Sequence, residues 1–225
     1  MDTAVIIVAA GSSSRMGFDK LTAPLNGLPV LQHTLNAFLN HPAVREIVLV
    51  TTPERFALLD TAHARVRITL THGGSQRQHS VANGLAATSP ACSHIAIHDG
   101  ARPLLHPADL DRCLAAALTH GAATLARPVT ETVKRSDAQG ICAGSVPREN
   151  LWFMETPQVF AAPLLHQALA EVAQQHLTVT DEVSAVQTTG HPVQFVESLH
   201  PNPKITRPAD LALASALLSQ PTPTP

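Results

Sequence analysis

The sequence is short of charge. Asp, Glu, Lys and Arg make up 14% of its 225 residues, and their balance leaves a net charge of −2. With no basic excess, neither a nucleic-acid surface nor an acidic membrane surface is expected, and any cations that matter must be local. Low charge beside 44% hydrophobic residues also argues against a disordered chain. Cysteine is scarce and odd in number. Cys92, Cys113 and Cys142 are far apart and form no CxxC pair, which excludes a disulfide framework and a zinc ribbon. A reduced, cytoplasmic protein with its cysteines in the core is the simple expectation. Long apolar runs are missing as well. Ala4–Val8 is too short to cross a bilayer and has no basic stretch ahead of it, unlike a signal peptide. The 13 histidines are scattered without HxH or HExxH spacing, so a histidine metal site is not expected. There are no internal repeats.

What the sequence does have is alternation. Short β-branched runs exchange with amphipathic stretches, the pattern of βαβ units and a mainly parallel sheet. Strands are expected at Val5–Ala9, Ile47–Val50, Val66–Leu70, Ile95–Ile97, Thr124–Val129 and Val193–Val196. Helices are expected from Pro29, over Pro53–Ala62, through Val81 and Leu85 to Ala87, and over Pro107–Leu118, Pro163–Gln175, Asp181–Thr188 and Pro208–Leu218. Thr130–Val146 alternates around the turn signal Asp137–Gly140 and reads as a β-hairpin arm (about 130–148) with too small an apolar face to stand alone. Residues 1–220 read as one domain. The Pro/Thr tail, 221–225, has no core residue and is expected to be disordered.

Four segments carry candidate chemistry. Ala9-Ala10-Gly11-Ser12-Ser13-Ser14-Arg15-Met16-Gly17, with Lys20 behind it, follows a buried strand. Small residues there let backbone N–H groups approach an anion, and Arg15 and Lys20 would neutralise it. The segment is neither a Walker A loop nor GxGxxG, and a plain Gly/Ser turn with solvated cations fits its spacing equally well. His98-Asp99-Gly100-Ala101-Arg102-Pro103 ends a strand, where Asp99 could ligate Mg²⁺ or merely cap a turn. Gly73-Gly74-Ser75-Gln76-Arg77 with Ser80 enters a helix, with Ser75 a possible N-cap. Lys204 stands near a late strand, a place where lysines commonly face solvent.

In order and wording these segments resemble the 2-C-methyl-D-erythritol 4-phosphate cytidylyltransferases, from Val5 to about Leu218. The matching pieces also include Thr132-Val133-Lys134, Thr156-Pro157-Gln158, Thr180-Asp181-Glu182 and Lys204-Ile205-Thr206-Arg207-Pro208. The resemblance implies a Rossmann-like, mainly parallel sheet flanked by helices, with a protruding β-arm that joins two subunits. It implies transfer of a cytidylyl group from CTP to 2-C-methyl-D-erythritol 4-phosphate in the non-mevalonate isoprenoid pathway, with Mg²⁺ as cofactor and pyrophosphate as the second product. By that likeness Arg15, Lys20 and Lys204 contact the phosphates, and Asp99 orients Mg²⁺ and the acceptor hydroxyls. Ala9, Ala10, Gly11, Gly74, Ser75 and Ser80 line the nucleotide site. Thr156 and Asp99 of one subunit, with Thr132, Arg148 and Arg102 of the other, bind the acceptor. Asp181 and Glu182 could equally cap a helix.

Three other readings compete. A ribitol 5-phosphate cytidylyltransferase would share most of these segments. A molybdopterin nucleotidyltransferase would share the first loop but not Thr156-Pro157-Gln158 or Lys204. A non-catalytic nucleotide-binding regulatory dimer would keep the loop without needing Asp99, Lys204 and Arg148 together. A nicotinamide-dependent dehydrogenase is disfavoured by the missing GxGxxG.

Overall fold

A computed structural model describes residues 2–11, 16–62 and 64–219. In chain order its elements are β1 (Thr3–Val8), β2 (Pro24–Leu25), β3 (Leu28–Pro29), α1 (Val30–Leu39), β4 (Val44–Val50), α2 (Pro53–Phe56), β5 (Arg67–Thr71), α3 (Arg77–Ala86), β6 (His94–Asp99), α4 (Pro107–His120), β7 (Ala122–Pro128), β8 (Val133–Ser136), β9 (Cys142–Val146), β10 (Trp152–Ala161), α5 (Ala162–Gln174), α6 (Glu182–Thr188), β11 (Gln194–Glu197) and α7 (Pro208–Leu218). One seven-stranded sheet has the order β11-β7-β10-β6-β1-β4-β5. The β1–β4, β1–β6, β4–β5 and β7–β11 pairings are parallel, and β10 runs antiparallel to both β6 and β7.

Strand periodicity explains how the sheet is covered on both faces. Successive side chains of β1 point to opposite sides. Val5 and Ile7 join one core with Leu31, Leu35 and Phe38 of α1 and Leu110 and Cys113 of α4. Ala4 and Ile6 join the other with Val81 and Leu85 of α3, Leu165 and Val172 of α5, and Val186 of α6. Both faces are dry, so β1 reads as a continuous apolar run rather than an alternating one. Gly84 lets α3 lie close against β1, since a Cβ there would sit 2.5 Å from Ile6 Cγ2. Phe38 is fully buried, and truncating it to Ala would cost roughly 3–5 kcal/mol.

The expected fold class is the observed one, with four local departures. The helix expected over Pro53–Ala62 stops after Phe56. Asp60 instead exchanges two bonds with the Gln32 side chain, donating its N–H at 2.8 Å and accepting at its carbonyl at 3.2 Å. A hairpin absent from the sequence reading, β2–β3, turns on Asn26 (φ 46°) and Gly27 (φ 90°), a pair whose positive φ values suit a tight two-residue turn. The long strand β10 was also unexpected. Finally, Cys142 is exposed rather than in the core, because it lies on β9 of a two-stranded arm. Cys92 and Cys113 are buried as expected, and burial pushes the Cys113 thiol up to about 12. The β8–β9 hairpin stands where the arm was read, turning through Asp137–Gly140. Gln220–Pro225 lie outside the described residues.

Candidate active site

The site is built at the carboxyl ends of three neighbouring parallel strands, where open α/β sheets place their ligands. Val8 of β1 is in register with Val50 of β4 and with Asp99 of β6. Beyond these ends lies a cavity of about 540 Å³, a volume suited to a small-molecule ligand. One wall is backbone-rich. Ala9, Ala10 and Gly11 face Gly74, Ser75 and Ser80 across it. That closeness needs glycine at position 73, where a Cβ would meet Ala10 Cβ at 2.3 Å. Ser80 shapes the same wall by accepting from Gly74 N–H at 3.0 Å and donating to the Gln76 carbonyl at 3.3 Å. The N-cap of α3 is therefore Gln76, not Ser75, and Ser75 instead bonds its hydroxyl to His79 Nδ1 at 3.0 Å.

The other side carries charge. Among the described residues, Lys20, Arg77 and Lys204 line the cavity together with one acid, Asp99, a balance that favours an anion. Asp99 is 8% exposed and sits amid guanidinium and ammonium groups: Lys204 Nζ at 2.7 Å, Arg77 Nη2 at 3.4 Å and Arg102 Nε at 3.9 Å. Burial alone would push its carboxyl up, but Lys204, Arg77 and Arg102 outweigh it and hold the group well below the usual carboxylate range. Lys20 Nζ donates to the Ile205 carbonyl at 2.8 Å, so the two lysines stand on neighbouring positions of the cavity rim.

Asp99 is also held through its backbone. Its N–H donates to Thr156 Oγ1 at 3.2 Å, and Thr156 Oγ1 lies 3.0 Å from His98 Nδ1. The far nitrogen of His98, Nε2, is 3.0 Å from the Arg102 carbonyl, which can only accept. Nε2 therefore carries a proton. His98 is fully buried, and burial pushes its pKa down to about 4, so the ring is neutral and Nδ1 is an acceptor. The Thr156 hydroxyl proton is thus committed to His98, leaving an oxygen that accepts.

Arg102 departs from expectation. Read as a contribution to the opposite subunit's site, it is instead buried beside its own chain's Asp99. Its guanidinium donates to the Asn202 carbonyl at 2.8 Å and the Met154 carbonyl at 3.2 Å. Those backbone acceptors, with Glu155 at 3.8 Å, fix it in place. Thr132 and Arg148 lie on or beside the arm, exposed and outside the cavity lining of their own chain. Arg15 lies outside the described residues.

The pairings also settle what Asp181 and Glu182 do. Asp181 caps α6 by accepting from Ser184 N–H at 3.0 Å. Glu182, 1% exposed, accepts from Arg77 Nη1 at 2.6 and 2.8 Å. Motif reading included Arg77 without giving it a role and passed over Arg55, which braces the wall from outside the cavity, because the partners of both are distant in sequence. Arg77 and Glu182 are 105 positions apart.

Fold and charge together define a class of enzyme, the nucleotidyltransferases: small residues after β1 form a backbone wall, and cations converge across a cavity from it. The chain belongs to the 2-C-methyl-D-erythritol 4-phosphate cytidylyltransferase family, whose profile matches residues 3–220. It is 42% identical to the enzyme of that name from Prochlorococcus marinus, over 96% of this chain and 97% of the relative. It is 38% identical to the one from Pelotomaculum thermopropionicum, over 96% and 93%. Among solved structures, the Thermus thermophilus enzyme of that name superposes with a TM-score of 0.80 at 33% identity, covering 96% of this chain and 98% of that one. The Francisella tularensis enzyme superposes with a TM-score of 0.85 at 28% identity, covering 96% and 100%.

Proposed function

We propose that this chain joins CTP and 2-C-methyl-D-erythritol 4-phosphate to give 4-diphosphocytidyl-2-C-methyl-D-erythritol and pyrophosphate. The observation that carries the reading is the convergence of Lys20, Lys204 and Asp99 on one cavity opposite the Ala9–Gly11 wall, in a chain of this family. The acceptor phosphate has its second pKa near ~6, so at neutral pH it arrives largely as a dianion and needs no general base. Its oxygen forms the new bond to the α-phosphorus as the bond to pyrophosphate breaks. The barrier is charge. Two unit charges at ~4 Å repel by about 4 kcal/mol at an effective dielectric of about 20, and several pairs meet here.

Lys20 and Lys204 answer that repulsion from neighbouring positions on the cavity rim. Their ammonium groups bond the Ile205 carbonyl and Asp99. Phosphate oxygens replace those partners when nucleotide enters, and the same cations then stabilise the crowded, more highly charged α-phosphorus. Arg15 adds a third contact to the triphosphate. The backbone wall of Ala9, Ala10 and Gly11 with Gly74, Ser75 and Ser80 takes the cytosine, and its tightness at Gly73 disfavours the larger purines. Asp99 and Thr156 orient the acceptor, and Arg102 holds the Asp99 side of the site.

Mg²⁺ fits this site only in one way. Among the described residues no group of three or more His, Cys, Asp or Glu side chains converges. A single carboxylate, Asp99, suits an ion held chiefly by phosphate oxygens. When bound, the ion supplies further neutralisation of the triphosphate.

The β8–β9 arm is read as the handle between two copies, because both its strands are largely exposed and Thr132 and Arg148 do not reach their own chain's cavity. Mixing Arg148→Ala with Asp99→Ala chains should then restore one working site per heterodimer, and no recovery would argue against a shared site. The buried, unpaired thiols of Cys92 and Cys113 suit the cytoplasm. The reaction is tested by pyrophosphate release with CTP and each polyol phosphate. Release with ribitol 5-phosphate but not with the methylerythritol substrate would overturn the assignment.

A further inference from the structure

Behind the nucleotide wall sits an arginine whose three guanidinium nitrogens each donate a hydrogen bond. Arg55, on the single turn of α2, donates from Nε to Asp19 Oδ2 at 2.6 Å, from Nη1 to the Ala9 carbonyl at 2.6 Å and from Nη2 to the Gly11 carbonyl at 3.0 Å. Its side chain is 11% exposed and does not line the cavity. Its backbone is fixed as well, since its N–H donates to the capping hydroxyl of Thr52 at 3.4 Å. One planar guanidinium thus spans both ends of the segment from Ala9 to Lys20. It ties the exit of β1 to the residue immediately before Lys20.

We infer that Arg55 is a positioning residue of the nucleotide site, acting through the Ala9–Gly11 backbone at one end and through Asp19 and Lys20 at the other. Two physical effects follow. In a trans peptide the C=O and the next N–H point in opposite directions. Holding the Ala9 carbonyl from behind therefore turns the Ala10 N–H away from Arg55, toward the side where Ala10 lines the cavity. The Thr51 hydroxyl reinforces this by donating to the same carbonyl at 3.1 Å. At the other end, Asp19 accepts from Leu21 N–H through Oδ1 at 3.1 Å while Oδ2 faces Arg55, so the backbone on both sides of Lys20 is set. Arg55 also neutralises a carboxylate next to a site meant for a polyanion. A fork with three fixed donor directions is needed, which lysine does not offer.

This rests on the reading that the cavity binds CTP, and the two can fail separately. Calorimetric titration of the wild-type enzyme with CTP comes first, because absent binding would sink that reading rather than the role of Arg55. With binding present, steady-state kinetics of Arg55→Gln should show KM for CTP raised about tenfold and kcat lowered about tenfold, with KM for the acceptor within about twofold. Arg55→Lys should leave KM for CTP raised at least about threefold. Adding Asp19→Asn to Arg55→Gln should recover at least about threefold of the loss, because it removes a negative charge that Arg55 no longer offsets beside a site for a polyanion. Equal loss of both KM values, or wild-type constants in a merely less stable Arg55→Gln enzyme, would overturn the inference. Should Arg55→Gln not fold, Arg55→Lys and Asp19→Asn carry the same comparison, and unchanged CTP constants in both would overturn it.

Discussion

Lys20 and Ile205 are 185 positions apart, yet the Lys20 ammonium donates to the Ile205 carbonyl at 2.8 Å. That bond brings the loop after β1 against the segment that carries Lys204. The segment is itself pinned, because Ile205 N–H donates to the Ala101 carbonyl at 2.8 Å and Asp109 accepts from the N–H groups of Leu199 and His200. Lysines from opposite ends of the chain thus reach the same rim of one cavity.

Removing either ammonium should expose what it does. Lys20→Ala and Lys204→Ala are each expected to slow turnover at least ~100-fold, the scale of losing one transition-state stabiliser. Single-turnover pyrophosphate release measures it. A near-wild-type rate in either variant would take that lysine out of the site.

Thr156 offers a cleaner separation of hydroxyl from volume. Thr156→Val keeps the shape but leaves Asp99 N–H and His98 Nδ1 without partners, a cost of roughly 1–3 kcal/mol for each buried group. Turnover should drop about tenfold with a matching fall in denaturation midpoint, while Thr156→Ser stays within about threefold. Valine behaving like wild type in both measurements would count against the anchoring of Asp99.

His98 should leave a signature in stability against pH. Its pKa falls from about 6.5 unfolded to about 4 folded. Between those values the unfolded chain binds the extra proton, so stability rises with pH there. The contribution is complete above about pH 6.5, declines as pH falls toward 4 and is constant below. Urea unfolding across this window should be steeper in pH for wild type than for His98→Gln, by up to about 1.4 kcal/mol per pH unit. Parallel curves would mean that His98 is not held neutral.

The Arg77–Glu182 pair predicts a loss of stability. Glu182 is almost wholly buried and bonds Arg77 twice. Glu182→Gln leaves Asp99 as the remaining carboxylate partner of Arg77, removes the shorter, two-bond ion pair and should cost about 3 kcal/mol in chemical denaturation. A change below about 0.5 kcal/mol would show that solvent, not Glu182, balances Arg77.

Much of the sheet was readable from sequence because β1, β4 and β6 are buried on both faces and stand out as apolar runs between punctuating turns. The resemblance supplied Lys20, Asp99 and Lys204, and the structure places all three on one cavity. β10 escaped notice for a physical reason. Pro157 lies inside it, and an interior proline ordinarily argues against a strand. The sheet accommodates it by a break in register, with β7 pairing to β10 through Met154 and again from Gln158, while pairing to β6 begins only at Gln158. Arg55 was passed over, and Arg77 and Glu182 stood in quoted segments without their roles being legible. Their pairing depends on elements meeting in space, and no local period records that.

The reversed direction of β10 has a consequence for how this chain can vary. Because β7 and β10 are antiparallel neighbours, Pro128 stands opposite Trp152, and Val129 N–H donates to the Leu151 carbonyl at 2.9 Å. To the sheet, everything between those residues is the loop of a hairpin. Its length and sequence can drift without shifting Gln158, Thr156 or the strands beyond them. The length of the arm is therefore set independently of the sheet, and the strand ends that line the cavity stay where they are whatever that length is.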